Sequence, residues 1–141
     1  MIREGSVAEA HQLMLGIPEF DRPRTLQDLQ ARLPAGTLVL IAKIDSLLAG
    51  FKIAYPLSDT ELYSWLGGVL PAYRQAGLAQ QLLAFQEDCA RERGFHTLSV
   101  KSMNRYPAML RLLIRNGYQI RAVDQFGDQA RERISFIKQL K

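Results

Sequence analysis

Two periodicities take turns along this chain. Residues 37–44, 47–55 and 61–69 are extended runs rich in apolar and β-branched or aromatic residues, and each pair of runs is separated by turn-forming residues. Asp45-Ser46 predicts a tight hairpin between the first two runs, and residues 56–60 predict a turn into the third. The three strands form an antiparallel meander. Elsewhere the repeat is helical. Residues 6–16 predict a helix opened by Ser6 and Glu9 at capping-box spacing and stopped by Gly16, and residues 25–33 predict a second short one ended by residues 34–36. After the third strand, Leu78, Ala79, Leu82, Leu83, Gln86, Cys89 and Ala90 mark one face of a helix running from about Gln75 to Gly94. Residues 95–101 predict a strand. A helix links it to the strand before, so the two run parallel. Residues 104–116 predict a last helix, with Pro107 tolerable in its first turn, and residues 118–123 and 133–140 predict two closing strands.

The link between the third strand and its helix carries the candidate chemistry. Residues 69–80 turn through Pro71 and a Gly77-containing loop straight into the helix. The first N–H groups of a helix lack internal partners, and the helix dipole adds partial positive charge there. Such a turn suits a phosphate, and Gly77 lets the backbone approach one closely.

Composition narrows the alternatives. A chain of 141 residues makes one domain, residues 1–141, with room for a substantial core. No apolar run approaches the length of a membrane span, and the first residues lack a signal-peptide layout, so a cytoplasmic protein is the expectation. Cys89 is the sole cysteine, and its place on the apolar stripe favours packing over nucleophilic work. With only His11 and His96, no cluster has metal-ligand spacing, and no metal is expected. The net charge of +4 suits an anionic ligand, or equally weak nucleic-acid binding.

Hairpins, a strand–turn–helix–strand unit, another helix and two closing strands give an α/β (α+β) chain with a mixed sheet. In this order the chain resembles the GNAT superfamily of acyl-CoA-dependent N-acetyltransferases. The resemblance rests on Arg74-Gln-Ala-Gly77-Leu-Ala79, on Val69-Leu-Pro71 before it, and on Asn104 and Gly117-Tyr118 after it. It covers residues 37–123 well and the N-terminal helices loosely. It implies a mainly antiparallel sheet of six or seven strands, helices on both faces and a central parallel pair. It also implies acetyl-CoA as acyl donor, with the pyrophosphate on the backbone of Gln75, Ala76, Gly77, Leu78, Ala79 and Gln80. The pantetheine arm would lie along the main chain of Gly67, Gly68 and Val69, where a bulge splays the parallel strands. Arg74 would add charge to a phosphate, Asn104 would join the cofactor site, and Lys101, Arg105, Arg111 and Arg115 stand as nucleotide-phosphate candidates or as surface charges.

An alkylamine acceptor has an ordinary pKa near 10, which leaves about one molecule in a thousand neutral at pH 7. A base or a water chain must take its proton. Glu61, at the spacing some relatives use, stands as the candidate base or as an exposed strand-start charge, with Tyr63 and Ser64 as a water relay. A strand N–H near Gly68 or Val69 is the candidate oxyanion donor. The family's usual tyrosine acid is replaced here by Leu113, which leaves Tyr106 or Tyr118. Phe51, Tyr55, Tyr63 and Trp65 line an acceptor pocket or fill core, and Glu19 and Asp21 face a cationic amine or solvent. The leading expectation is transfer of an acetyl group to an amine of a small molecule or protein. A domain that binds acyl-CoA without turnover and a small basic nucleic-acid binder are the alternatives. Exposed sheet edges allow a homodimer.

Overall fold

The computed structural model describes residues 1–125, 127 and 132–140. Seven strands form one sheet in the order β1-β2-β3-β4-β5-β7-β6. These are β1 (Ile2–Glu4), β2 (Leu38–Ile44), β3 (Leu47–Pro56), β4 (Glu61–Val69), β5 (Thr97–Met103), β6 (Gln119–Asp124) and β7 (Arg133–Gln139). Every neighbouring pair is antiparallel except β4 and β5, the pair joined through a helix. The Asp45-Ser46 hairpin forms with both residues at positive φ, 51° and 68°, as a two-residue turn between twisted strands requires.

Helices α1 (Val7–Leu15) and α2 (Leu26–Arg32) cover one face of the sheet, and α3 (Leu78–Glu92) and α4 (Pro107–Arg115) the other. Successive strand side chains point to opposite faces, and β2 shows the consequence. Val39 and Ile41 pack with Ala10, Leu13, Met14 and Leu29 from the first helix pair. Leu38 and Leu40 pack with Leu82, Leu83, Leu112 and Leu113 from the second. With both faces buried, the strand reads as a continuous apolar run. No helix among the described residues is long and apolar enough to cross a membrane.

The Ser6–Glu9 capping box forms in both directions, and Arg3 closes on Glu9 at 2.6 Å. Three expectations need correction. The helix placed from Gln75 begins at Leu78, because Gln75 and Gly77 hold left-handed φ of 67° and 77°, which a right-handed helix cannot contain. The helix placed from Asn104 begins at Pro107, whose missing N–H costs nothing at the first helical position. Strand β1 went unforeseen. Three residues carry no readable period, and pairing with β2 makes them a strand.

Candidate active site

Strands β4 and β5 pair side by side only from Glu61 opposite Thr97 to Ser64 opposite Val100. Both continue beyond that point, to Val69 and Met103, without pairing. The cause sits on β4. Ile53 of β3 faces Leu66 and the next residue, Ala54, faces Ser64, so Trp65 is an extra residue in the strand. A bulge bends its strand and sharpens its twist, and here it turns β4 away from β5. The bulge expected at Gly67 and Gly68 therefore lies at Trp65. Both glycines pair in regular register, with Lys52 and Phe51. A cleft of about 940 Å³ opens at the splay, lined by β4 from Tyr63 onward, the following turn, the first residues of α3, β5 beyond Val100, and α4.

Ladder phase decides which main-chain groups face this cleft. Leu70 N–H donates to Ala49 O at 2.8 Å, which makes the Val69–Gly50 pair the open kind, in which neither residue bonds the other. Gly68 is then committed to Phe51, whereas Gly67 and Val69 turn their N–H and C=O groups away from β3. The Val69 carbonyl confirms the phase by accepting from Arg74 Nε at 3.0 Å. Of the two N–H groups considered as oxyanion donors, Val69's points outward and Gly68's does not. The absence of a side chain at Gly68 has a packing reason, since a Cβ there would stand 2.9 Å from Ile17 Cδ1.

A short 3₁₀ turn, Pro71–Tyr73, leads from β4 toward α3. The left-handed residues Gln75 and Gly77 then swing the chain into the helix. The first bond back into the helix is Gln81 N–H to Gly77 O at 3.1 Å. The N–H groups of Gln75, Ala76, Gly77, Leu78, Ala79 and Gln80 meet no acceptor among the described residues. All but Ala76 belong to residues lining the cleft. The Gln80 side chain exchanges amide bonds of 2.7 and 2.8 Å with Asn116, tying the start of α3 to the end of α4. Arg74 donates to Val69 O and to Glu19 Oε1, the latter at 2.7 Å. Its guanidinium thus joins the turn to the α1–α2 connection, and Glu19 is already paired with a cation. Asp21 is exposed in that connection.

Sequence reasoning passed over Lys52. It is 5% exposed on β3, lines the cleft opposite Gly67, and reaches Ser64 Oγ at 3.5 Å. Burial lowers its pKa to about 8, against a smaller opposing pull from the Glu87 carboxylate. A lone charge inside an apolar strand was the available signal. Glu87 itself holds Tyr118 Oη at 2.8 Å and Lys138 Nζ at 3.1 Å. Burial and that carboxylate push the Tyr118 phenol up, so Tyr118 is a packed partner of Glu87 with its proton engaged. Leu113 is fully buried in the core.

Glu61 accepts from Ser99 Oγ at 2.7 Å and pairs with both terminal nitrogens of Arg121, at 3.2 and 3.3 Å. Arg121, with help from Ser99, holds its carboxyl below the ordinary value. Glu61 lies at the paired end of β4, outside the cleft lining. Tyr106 lines the cleft at the N-cap of α4, with the Arg105 guanidinium 5.1 Å from its ring centre. Arg111 and Arg115 also line the cleft, whereas Asn104, in the same β5–α4 turn as Arg105, does not. Lys101 lines it too, with Nζ 6.0 Å from the centre of the Tyr63 ring. Cys89 is half-buried against the core, and burial raises its pKa.

The profile of the acetyltransferase (GNAT) family matches residues 7–118. No curated protein sequence matches the chain. Among solved structures, the ribosomal-protein-S18-alanine N-acetyltransferase from Escherichia coli superposes with a TM-score of 0.86 at 18% identity, over 99% of this chain and 93% of that one. A GNAT family acetyltransferase from Elizabethkingia anophelis, described with acetyl-CoA bound, gives 0.77 at 15% identity over 99% and 97%. The aminoglycoside 6'-N-acetyltransferase from Enterococcus faecium gives 0.78 at 14% identity over 100% and 97%. At these identities the likeness concerns the fold. Family profile and fold agree, and the chain belongs to the GNAT acetyltransferase family.

Proposed function

We propose that the chain is an acyl-CoA-dependent N-acyltransferase that carries acetyl from acetyl-CoA to an amine. The observation that carries this reading is the set of six N–H groups, residues 75–80, unpartnered among the described residues, at the edge of a cleft opened by strand splay. Converging amides at a helix start favour a pyrophosphate, and Arg105, Arg111 and Arg115 on the same cleft suit the nucleotide's further phosphate. The outward N–H and C=O groups of Gly67, with the Val69 C=O that also accepts from Arg74, offer the pantetheine amides a strand edge to pair with. The acetyl-CoA named in the description of the Elizabethkingia anophelis structure supports the same donor.

The amine nitrogen attacks the thioester carbonyl. As the C–N bond forms, negative charge gathers on the carbonyl oxygen, where the Val69 N–H is the proposed donor. Collapse breaks the C–S bond, the nitrogen gives up a proton, and the CoA thiolate takes one. We assign the second proton to Lys52. A lysine held near 8 is matched to a thiol of about 8.5, whereas an ordinary lysine near 10.4 would be a poor donor. Tyr106 is the other proposed donor, on the α4 side of the cleft. Glu61 is proposed to act on the amine through water, because its pairing with Arg121 makes it a weak direct base.

Calorimetric titration of acetyl-CoA into the wild-type chain and a Gly77→Glu variant tests the donor site. Micromolar binding by wild type, lost in a folded variant, is the expected result. Absence of binding by wild type overturns the reading. A second reading, acyl-CoA binding without turnover, draws on buried Leu113 at the family's tyrosine position, and acetylation of any amine by the purified chain excludes it.

A further inference from the structure

Beside the same cleft, the sheet face opposite α3 has a second chemical character, with Tyr63 and Trp65 in the cleft lining and Tyr55, Arg24 and Arg32 next to them. Tyr55, Tyr63 and Trp65 form one aromatic cluster, with Tyr55 centred 5.5 Å from Tyr63 and 6.0 Å from Trp65. Cations surround it. Arg32 lies 4.3 Å and Arg24 5.4 Å from the Trp65 ring, Lys101 stands 6.0 Å from Tyr63, and Arg133 joins the cleft lining close enough to act on the Tyr63 phenol. None of these four cations makes an ion pair among the described residues. Of the carboxylates around the cluster, Glu19 is paired with Arg74 and Glu61 with Arg121, whereas Asp124, opposite Arg133 in the ladder, and Asp28, one turn before Arg32, make no ion pair among the described residues.

Arg32 Nη2 donates to Tyr55 Oη at 3.2 Å, and the rest of its stacked guanidinium edge matches the oxygens of a carboxylate or phosphate. A cationic acceptor would meet like charge from four cations around these rings. We infer that the acceptor is an amine that also bears an anionic group, carboxylate or phosphate, the carboxylate form carrying an aromatic or apolar body that lies on the Tyr55–Tyr63–Trp65 cluster. Resting on the proposed acyl transfer, this names its substrate class. An amino acid with a large apolar side chain has the required parts. The amine is directed to the thioester while Arg32, Arg133 and Lys101 hold the anion.

Trp65 is the sole tryptophan, so its fluorescence reports on this cluster alone. The acetyl-CoA-loaded chain is titrated with phenylalanine, with phenylalaninamide, which keeps ring and amine but lacks the carboxylate, and with phosphoethanolamine. Saturable change with phenylalanine, at least about tenfold tighter than with the amide, supports the inference for a carboxylate, and the same change with phosphoethanolamine alone supports it for a phosphate. Arg133→Gln is expected to weaken the anion roughly fivefold or more while leaving the calorimetric affinity for acetyl-CoA unchanged. Equal or tighter binding of the amide overturns the inference, as does a flat response to both anions from a chain that binds acetyl-CoA. Failure to bind acetyl-CoA at all strikes instead at the transferase reading, and anion binding is then read on the unloaded chain.

Discussion

Arg74 Nη2 lies 2.7 Å from Glu19 Oε1, across fifty-five positions of sequence. With its Nε on the Val69 carbonyl, this guanidinium fastens the helix-entry turn to both the end of β4 and the α1–α2 connection. The pair is about 40% exposed on each side, so its net contribution to stability is expected to stay within about 1 kcal/mol. Its effect falls on the order of the turn. Arg74→Ala should weaken acetyl-CoA binding about tenfold with little change in melting temperature. Glu19→Ala should reproduce part of that loss, and a double-mutant cycle by calorimetry should find the two non-additive. Additive losses would mean that Arg74 acts on the ligand without Glu19.

Gly77 can be tested without a steric clash. A Cβ there meets nothing within 4 Å, but φ is 77°. Gly77→Ala should therefore cost about 1–2 kcal/mol in urea unfolding through left-handed strain alone. Gly77→Asn should cost less, because asparagine tolerates that region. Equal costs would remove backbone conformation as the reason for glycine.

Lys52 should show a trade between stability and activity. Its folded pKa of about 8 lies below the ordinary 10.5, so the unfolded chain binds more protons between those values. Stability then rises with pH from about 8 to 10.5, and the burial penalty is fully present below 8. Lys52→Met should raise unfolding free energy at pH 7 by roughly 1–3 kcal/mol, a gain that fades toward pH 10. The same variant should lose at least about tenfold in turnover with acetyl-CoA affinity kept. A variant less stable than wild type at pH 7 would show that the ammonium is well satisfied where it sits.

The Gln80–Asn116 exchange predicts a coupling between two helix ends. Asn116→Ala leaves a half-buried amide on Gln80 without its partner, at a cost of about 1–2 kcal/mol. Amide hydrogen exchange should quicken at Gln81, whose N–H makes the first hydrogen bond of α3. Unchanged exchange there would separate the helix start from α4.

What the sequence determined was local. Ser6 and Glu9 meet within one helical turn, and Asp45 and Ser46 set their own hairpin, so each was legible from neighbouring residues. Strand and helix order followed from the two periodicities, and with it the parallel pair. The tertiary structure decided everything that depends on register between distant segments. Trp65 became the bulge only because Ile53 and Ala54 of β3 pair on either side of it. Lys52 became a cleft residue only because β3 sets it opposite Gly67, Arg74 met Glu19, and Arg121 claimed Glu61. A strand's own pattern fixes which residues share a face. Which partner they face depends on pairing energies summed over the whole sheet, which no single segment encodes.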